Sequence, residues 1–251
     1  MTADEKTSLA EFLDLAAAVT GSGYRGEKRE YHFSDDADSG KAAANVPVAD
    51  TDAADDSLEK VAAAVRACTA CKLETTRKNA VPGEGVLNPL VMVIGEGPGA
   101  DEDETGRPFV GRAGQLLDKM LASIGLSRDS NCFIANVIKC RPPANRDPQP
   151  DETAACASFL ERQIRIIKPR FILCAGRIAA HTLLNTTEPI GKLRGKFVDF
   201  QMGDLTLPFL ATYHPSALLR NEDLKRPAWE DLKLLRTAIM GTGDQGLGNG
   251  E

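Results

Sequence analysis

A chain of 251 residues, 42% of them hydrophobic, with a formal net charge of −6, is long enough for one domain of roughly 180–200 residues with unstructured ends. It holds no run of ~18 apolar residues to span a membrane, and its start, M-T-A-D-E-K, lacks the basic patch and apolar stretch of a secretory signal. Six cysteines without an export signal fit a cytoplasmic, reducing setting in which thiols serve metals rather than disulfides.

The charge is unevenly spread. Residues 1–57 carry 13 Asp/Glu against 5 Lys/Arg, and residues 58–240 carry 25 Lys/Arg against 21 Asp/Glu. The acidity belongs to the ends, and the middle has a mild basic surplus. That surplus is compatible with nucleic-acid contact and is equally ordinary for a soluble domain.

In chain order, residues 1–20 place Leu9, Phe12, Leu13, Leu15, Ala16 and Val19 at helical spacing, which predicts a short amphipathic helix. Residues 34–56 are rich in Ala and Asp and poor in bulky apolar side chains, the composition of a disordered linker. Ser57 is an N-cap candidate for a helix that runs towards Cys68 and Cys71. Apolar runs then predict strands at Leu90–Gly95, Cys132–Ile138, Arg170–Ala175 and Leu207–Tyr213. Helical patterns fall between and after them, at Gly111–Ile124, Asp151–Lys168, Ile178–Leu184 and Pro227–Ile239. The tail from Gly241 has no pattern.

Four continuous apolar strands alternating with helices predict an α/β fold, a three-layer α/β/α sandwich around a four-stranded parallel sheet. Ligands in such sheets bind beyond the carboxyl ends of the strands. The chemically loaded segments follow the strands: G-E-G-P-G after the first, N-V-I-K-C at the end of the second, and Y-H-P-S after the last.

Cys68 and Cys71 form a C-x2-C pair, and Cys140 and Cys156 stand alone. Four thiolates suffice for zinc or for an iron–sulfur cluster. A zinc site would more commonly show a second close pair, so the spacing favours a [4Fe–4S] cube over one zinc ion or four plain buried cysteines. Cys132 and Cys174 lie inside apolar strands and read as small hydrophobes. His181 reads as structural, and His32 carries no functional argument.

Three segments together, G-E-G-P-G-A-D-E-D-E-T-G-R-P-F-V-G-R-A-G from Gly95, N-V-I-K-C-R-P-P from Asn136 and H-P-S-A-L-L-R from His214, resemble the family 4 uracil-DNA glycosylases, the iron–sulfur members of their superfamily. The resemblance covers roughly residues 57–240, with the four cysteines at the family's spacing. It implies a [4Fe–4S] cluster on Cys68, Cys71, Cys140 and Cys156. The activity it implies is base excision repair: uracil is flipped out of DNA and its N-glycosidic bond hydrolysed, leaving an abasic site.

The resemblance also assigns roles. Gly95 and Gly97 shape the pocket, Phe109 stacks on the base, and the Asn136 amide reads uracil O4 and N3–H together. His214 stabilises charge on the departing base. Ser216, Leu218, Leu219 and Arg220 contact DNA, with one of the two leucines filling the gap left by the flipped base. Glu96 and Glu102 are the candidates for orienting water, with Asp101 and Asp103 behind them. A related branch that captures the abasic sugar carries a basic insertion with a histidine after the second motif. Here C-R-P-P-A-N-R-D-P-Q-P-D-E runs on directly, which favours turnover.

Uracil-containing DNA is the expected partner of a monomer, and the N-terminal extension offers room for a replication or repair protein. The alternative is a non-catalytic iron–sulfur DNA-binding accessory protein, for example to a polymerase or helicase. An electron carrier is disfavoured because the compact ferredoxin cysteine run is missing.

Overall fold

The structure is a computed structural model that describes residues 56–243. The expected helix at residues 1–20 and the linker up to residue 55 lie outside the described residues, as do residues 244–251. The domain begins one residue before the expected cap: Arg162 grips the Asp56 carboxylate with two bonds of 2.7 Å. Ser57 then caps α1 (Leu58–Arg66), its hydroxyl accepting from the Lys60 N–H at 3.3 Å.

The sheet has six strands, in the order β1-β3-β2-β4-β6-β5. The central four are β2 (Val91–Gly95), β3 (Cys132–Asn136), β4 (Phe171–Ala175) and β6 (Leu205–Thr212), and they are parallel. These are the four strands expected from sequence. Two antiparallel edge strands add to them: β1 (Glu84–Gly85) beside β3, and β5 (Phe197–Met202) beside β6. The expected central four-stranded parallel sheet is thus present, and two edge strands not expected from sequence extend it to a mixed sheet of six. Neither edge shows the continuous apolar run that betrays a doubly covered strand. β1 pairs only two residues, and β5 alternates burial as half of a hairpin turned by Gly203 and Asp204.

Helices cover both faces. α2 (Ala100–Thr105) and α3 (Arg112–Ala122) connect β2 to β3, and α4 (Pro150–Ile167) connects β3 to β4. α5 (Arg177–Leu184) and α6 (Ile190–Leu193) follow β4, then α7 (Pro215–Arg220) and α8 (Lys225–Gly243) follow β6. α8 carries three residues of the expected tail as helix.

Alternation along the strands divides the core in two. Val91 and Val93 face Leu116, Met120, Leu173, Trp229 and Leu232. Met92 and Ile94 face Val61, Leu160, Ile164, Ile172 and Ala179. Each such side chain contributes about 1.5–3 kcal/mol by leaving water. Both halves hold the central strands rigidly, so the glycine, asparagine and histidine segments at the strands' carboxyl ends stand on a fixed base. Among the described residues no helix is long and apolar enough to cross a membrane.

Candidate active site

Gly95 ends β2 beside Asn136, the last residue of β3. A Cβ on Gly95 would lie 2.5 Å from Asn136 Oδ1 and 2.5 Å from Phe109 Cζ. The missing side chain thus leaves the space between an amide and an aromatic ring open. Asn136 is 1% exposed, and its Oδ1 is buried with no hydrogen-bond partner. Buried polar atoms are nearly always paired, so an orphaned carbonyl oxygen facing a ring marks a place for a ligand donor. Gly97, two residues on, abuts Ile138.

Phe109 adopts φ +51, a left-handed conformation that costs a non-glycine residue of order 1 kcal/mol or more. Its surroundings over-determine that geometry. Arg128 donates to the carbonyls of Pro108 and Phe109, both at 2.9 Å, and is itself held by Glu84 and Asp118. From the other side, Glu102 Oε1 accepts the N–H groups of Val110 at 2.8 Å and Gly111 at 2.9 Å, while Oε2 accepts that of Gly99 at 3.0 Å. Beneath the turn, Gly114 admits the Phe109 backbone, to which a Cβ would approach within 2.0 Å.

His214 caps α7 and completes the pocket, its ring centroid 5.6 Å from that of Phe109 at a 32° tilt. Nδ1 accepts the Ser216 N–H at 3.1 Å and lies 2.8 Å from the Ser216 hydroxyl. An acceptor at Nδ1 places the proton of a neutral imidazole on Nε2. Burial, reinforced by Arg220 and opposed by Glu102, pushes the imidazolium down to about 4. The ring is therefore a neutral hydrogen-bond donor at physiological pH.

Glu96 follows Gly95, its carbonyl accepting the Ile138 N–H at 3.1 Å. Burial and the nearby Asp147 push its carboxyl up to about 7, against Arg177 and Arg220, which pull it down. Asp147 pairs with Arg177 at 2.7 Å. The loop carrying Asp147 is clamped to α4 by Arg146, which donates to Glu152 at 2.8 and 2.5 Å. Asp103 accepts from the N–H groups of Lys78 and Asn79, at 2.9 and 3.3 Å, and so anchors a neighbouring loop.

The expected residues do not all meet. Phe109, Asn136 and His214 converge around Gly95, with Glu96 beside them. Glu102 is engaged with three backbone N–H groups, which makes it the support of the Phe109 turn. Leu218 is 0% exposed and packs in the core with Trp229 and Leu232. This corrects the expectation that either leucine can enter a groove: only Leu219, half-buried, and Arg220, exposed, are available. Ser216 faces His214. Arg128, Asp147 and Arg177 carry no local sequence signal, because their partners lie 10 to 44 residues away.

Cys68, Cys71, Cys140 and Cys156 line one small cavity with Arg77 and Lys139. No group of three or more metal-ligating side chains poised for a single ion occurs among the described residues. Arg77 donates to Cys140 Sγ at 2.9 Å and to the Cys68 carbonyl at 2.7 Å. Burial pushes the Cys156 thiol up to about 11. Such a thiol ionises when a cation binds it. Cys132 and Cys174 are buried in strands, apart from this cavity.

Comparison with known proteins agrees with this arrangement. Residues 82–233 match the family model of the uracil DNA glycosylase superfamily. The chain is 42% identical over 207 residues to a type-4 uracil-DNA glycosylase of Saccharolobus solfataricus, covering 76% of this chain and 95% of that protein. It is 46% identical to the type-4 enzyme of Sulfurisphaera tokodaii, covering 72% and 84% of the two chains. With that of Thermotoga maritima the identity is 44%, covering 74% and 96%. Sheet, pocket and sequence thus agree, and the chain belongs to the uracil-DNA glycosylase superfamily, among its type-4 members.

Proposed function

We propose that this protein is a uracil-DNA glycosylase that takes a flipped-out uracil nucleotide and hydrolyses its N-glycosidic bond, leaving an abasic site. The observation that carries the reading is the orphaned Asn136 Oδ1 opposite the Phe109 ring across Gly95. A uracil stacked on Phe109 supplies the missing partner, its N3–H donating to Oδ1 and its O4 accepting from Nδ2. Cytosine offers neither, because its N3 carries no proton and its exocyclic amine is a donor. Leaving such a buried edge unpaired costs about 1–3 kcal/mol.

His214 Nε2–H then meets uracil O2. As the bond from N1 to the sugar breaks, the electron pair leaves with the base, and a neutral donor aimed at O2 stabilises the growing anion. Glu96, ionised above about 7, orients the water that adds to the sugar carbon and takes its proton. This role goes to Glu96 rather than Glu102, whose oxygens are already committed to the backbone. Leu219 fills the space vacated by the base, and Arg220 contacts the phosphate backbone.

Cys68, Cys71, Cys140 and Cys156 would hold a [4Fe–4S] cluster. All four line one cavity, and a single C-x2-C pair followed by two isolated cysteines is a spacing that suits a cube better than one zinc ion. When bound, the cluster supplies a covalent tie between distant segments; base hydrolysis moves no electrons.

The test is incubation of the purified protein with a duplex containing one uracil, scored as alkali-labile sites. Cleavage at uracil and none at cytosine is expected. Tight DNA binding with no cleavage would overturn the reading in favour of an accessory protein.

A further inference from the structure

We propose that Lys139 is a positioning residue for Asn136, holding the peptide that carries the base-reading amide. The proposal rests on the reading of Asn136 as the group that pairs with the base.

Lys139 is one of the largest fully buried side chains in the molecule. A lysine in an apolar interior is expensive unless its donors are satisfied, and an apolar residue of similar volume commonly serves stability as well or better. Its presence therefore calls for a purpose other than packing. Nζ donates to the Asn136 carbonyl at 2.9 Å and to Gln163 Oε1 at 2.7 Å. Gln163, equally buried, passes the restraint on through Nε2 to the Pro82 carbonyl at 2.7 Å. The chain from Asn136 through Lys139 and Gln163 thus ties the end of β3 to α4 and to the segment before β1.

This tie matters at Asn136 because β3 stops there. The Asn136 amide must face the Phe109 ring from the last residue of a strand. Beyond it the N–H groups of Val137 and Ile138 still bond to the Gly95 and Glu96 carbonyls, at 2.9 and 3.1 Å, but the Asn136 carbonyl itself is held by the Lys139 side chain. With residues 137 and 138 held by β2, the bond from Lys139 Nζ to the Asn136 carbonyl restrains the peptide plane next to the one from which the amide projects. The same lysine lines the four-cysteine cavity, and its backbone N–H lies against the Cys156 thiol. Gln163 is two helical turns beyond Cys156 on α4. Lys139 thus touches both the four-cysteine cavity and the base-reading turn.

A double-mutant cycle tests the idea on the full chain. Lys139→Met should slow single-turnover excision of uracil at least tenfold. It should weaken binding of a duplex carrying non-hydrolysable 2′-fluorodeoxyuridine by a similar factor, with iron content and melting temperature near those of the parent. In an Asn136→Ala background the same substitution should change the rate less than twofold, because the group it positions is gone. Equal losses in both backgrounds, or a parental rate for Lys139→Met, would overturn the proposal. If Lys139→Met does not fold, Gln163→Leu goes through the same cycle, with about a threefold loss expected only where Asn136 is present; a loss in both backgrounds counts against it. A parental rate for Asn136→Ala alone would instead remove Asn136 from the pocket and distinguish failure of that reading from failure of this one.

Discussion

His214 accepts the backbone N–H of Ser216 on Nδ1 at 3.1 Å, and that one bond decides what the imidazole can offer on its other side. With Nδ1 occupied as an acceptor, Nε2 carries the proton. The backbone N–H at the start of α7 enforces this whatever the residue at 216, while the Ser216 hydroxyl adds a second contact at 2.8 Å. His214→Ala should therefore lower the single-turnover rate by roughly 10²–10³, whereas Ser216→Ala should cost only a few-fold. Binding to abasic DNA should barely change in either, since that product has no base oxygen for Nε2–H to meet. Equal losses in rate and product binding for His214→Ala would contradict the assignment.

Glu96 gives the pH dependence. Its carboxyl lies at about 7 through burial and the charge of Asp147, and in the role proposed for it only the ionised form would orient water and accept its proton. The rate should rise with pH through about 7 and then level off, with the limb absent in Glu96→Gln. Asp147→Asn removes the like charge and frees Arg177, two changes that both favour the ionised form, so the limb should move to lower pH. A limb that stays in place in Asp147→Asn would assign the titration to another group.

The same carboxyl predicts a stability effect with a definite sign. A raised native pKa means the folded chain binds more protons than the unfolded one between about 4.5 and 7. Stability therefore falls as pH rises through that window. Glu96→Gln should melt higher than the parent at pH 8 and nearly equal to it at pH 4.5. Glu102→Gln should instead lose stability, because its carboxylate accepts three backbone N–H groups that hold the Phe109 turn. A loss of about 1–3 kcal/mol is expected there, together with weakened activity. Calorimetry at the two pH values separates the two glutamates.

The three strand-end segments and the α/β alternation were legible because they depend on local pattern: apolar runs for β2, β3, β4 and the end of β6, with glycines beyond β2 and a histidine beyond β6. The features that escaped depend on partners brought together by topology. β1 is two residues long and has no periodicity to detect. β5 does carry a signal, since F-V-D-F-Q-M-G-D-L-T-L is a pair of short alternating runs about a Gly-Asp turn. Glu102 and Glu96 look alike in G-E-G-P-G-A-D-E; only the position of Val110 and Gly111 over α2 separates a turn support from a free carboxylate. Lys139 reads as one more basic residue before Cys140 until α4 buries it.

Leu218 and Leu219 are adjacent in sequence, yet the turn of α7 separates their fates. Leu218 is fully buried against Trp229 and Leu232, while Leu219 is half-buried beside the exposed Arg220. Leu218→Ala leaves a cavity in the core and should destabilise the fold by about 2–5 kcal/mol, with any loss of activity tracking the unfolded fraction. Leu219→Ala should leave the melting temperature within a few degrees of the parent. It should weaken excision from duplex DNA, where an apolar side chain replaces the flipped base in the stack, and do so far less on single strands, where no partner strand closes the gap. The ratio of duplex to single-strand rates is the decisive measurement. A fall in that ratio for Leu219→Ala with none for Leu218→Ala, once corrected for folding, identifies Leu219 as the wedge; an unchanged ratio in both variants would remove the wedge role from this loop.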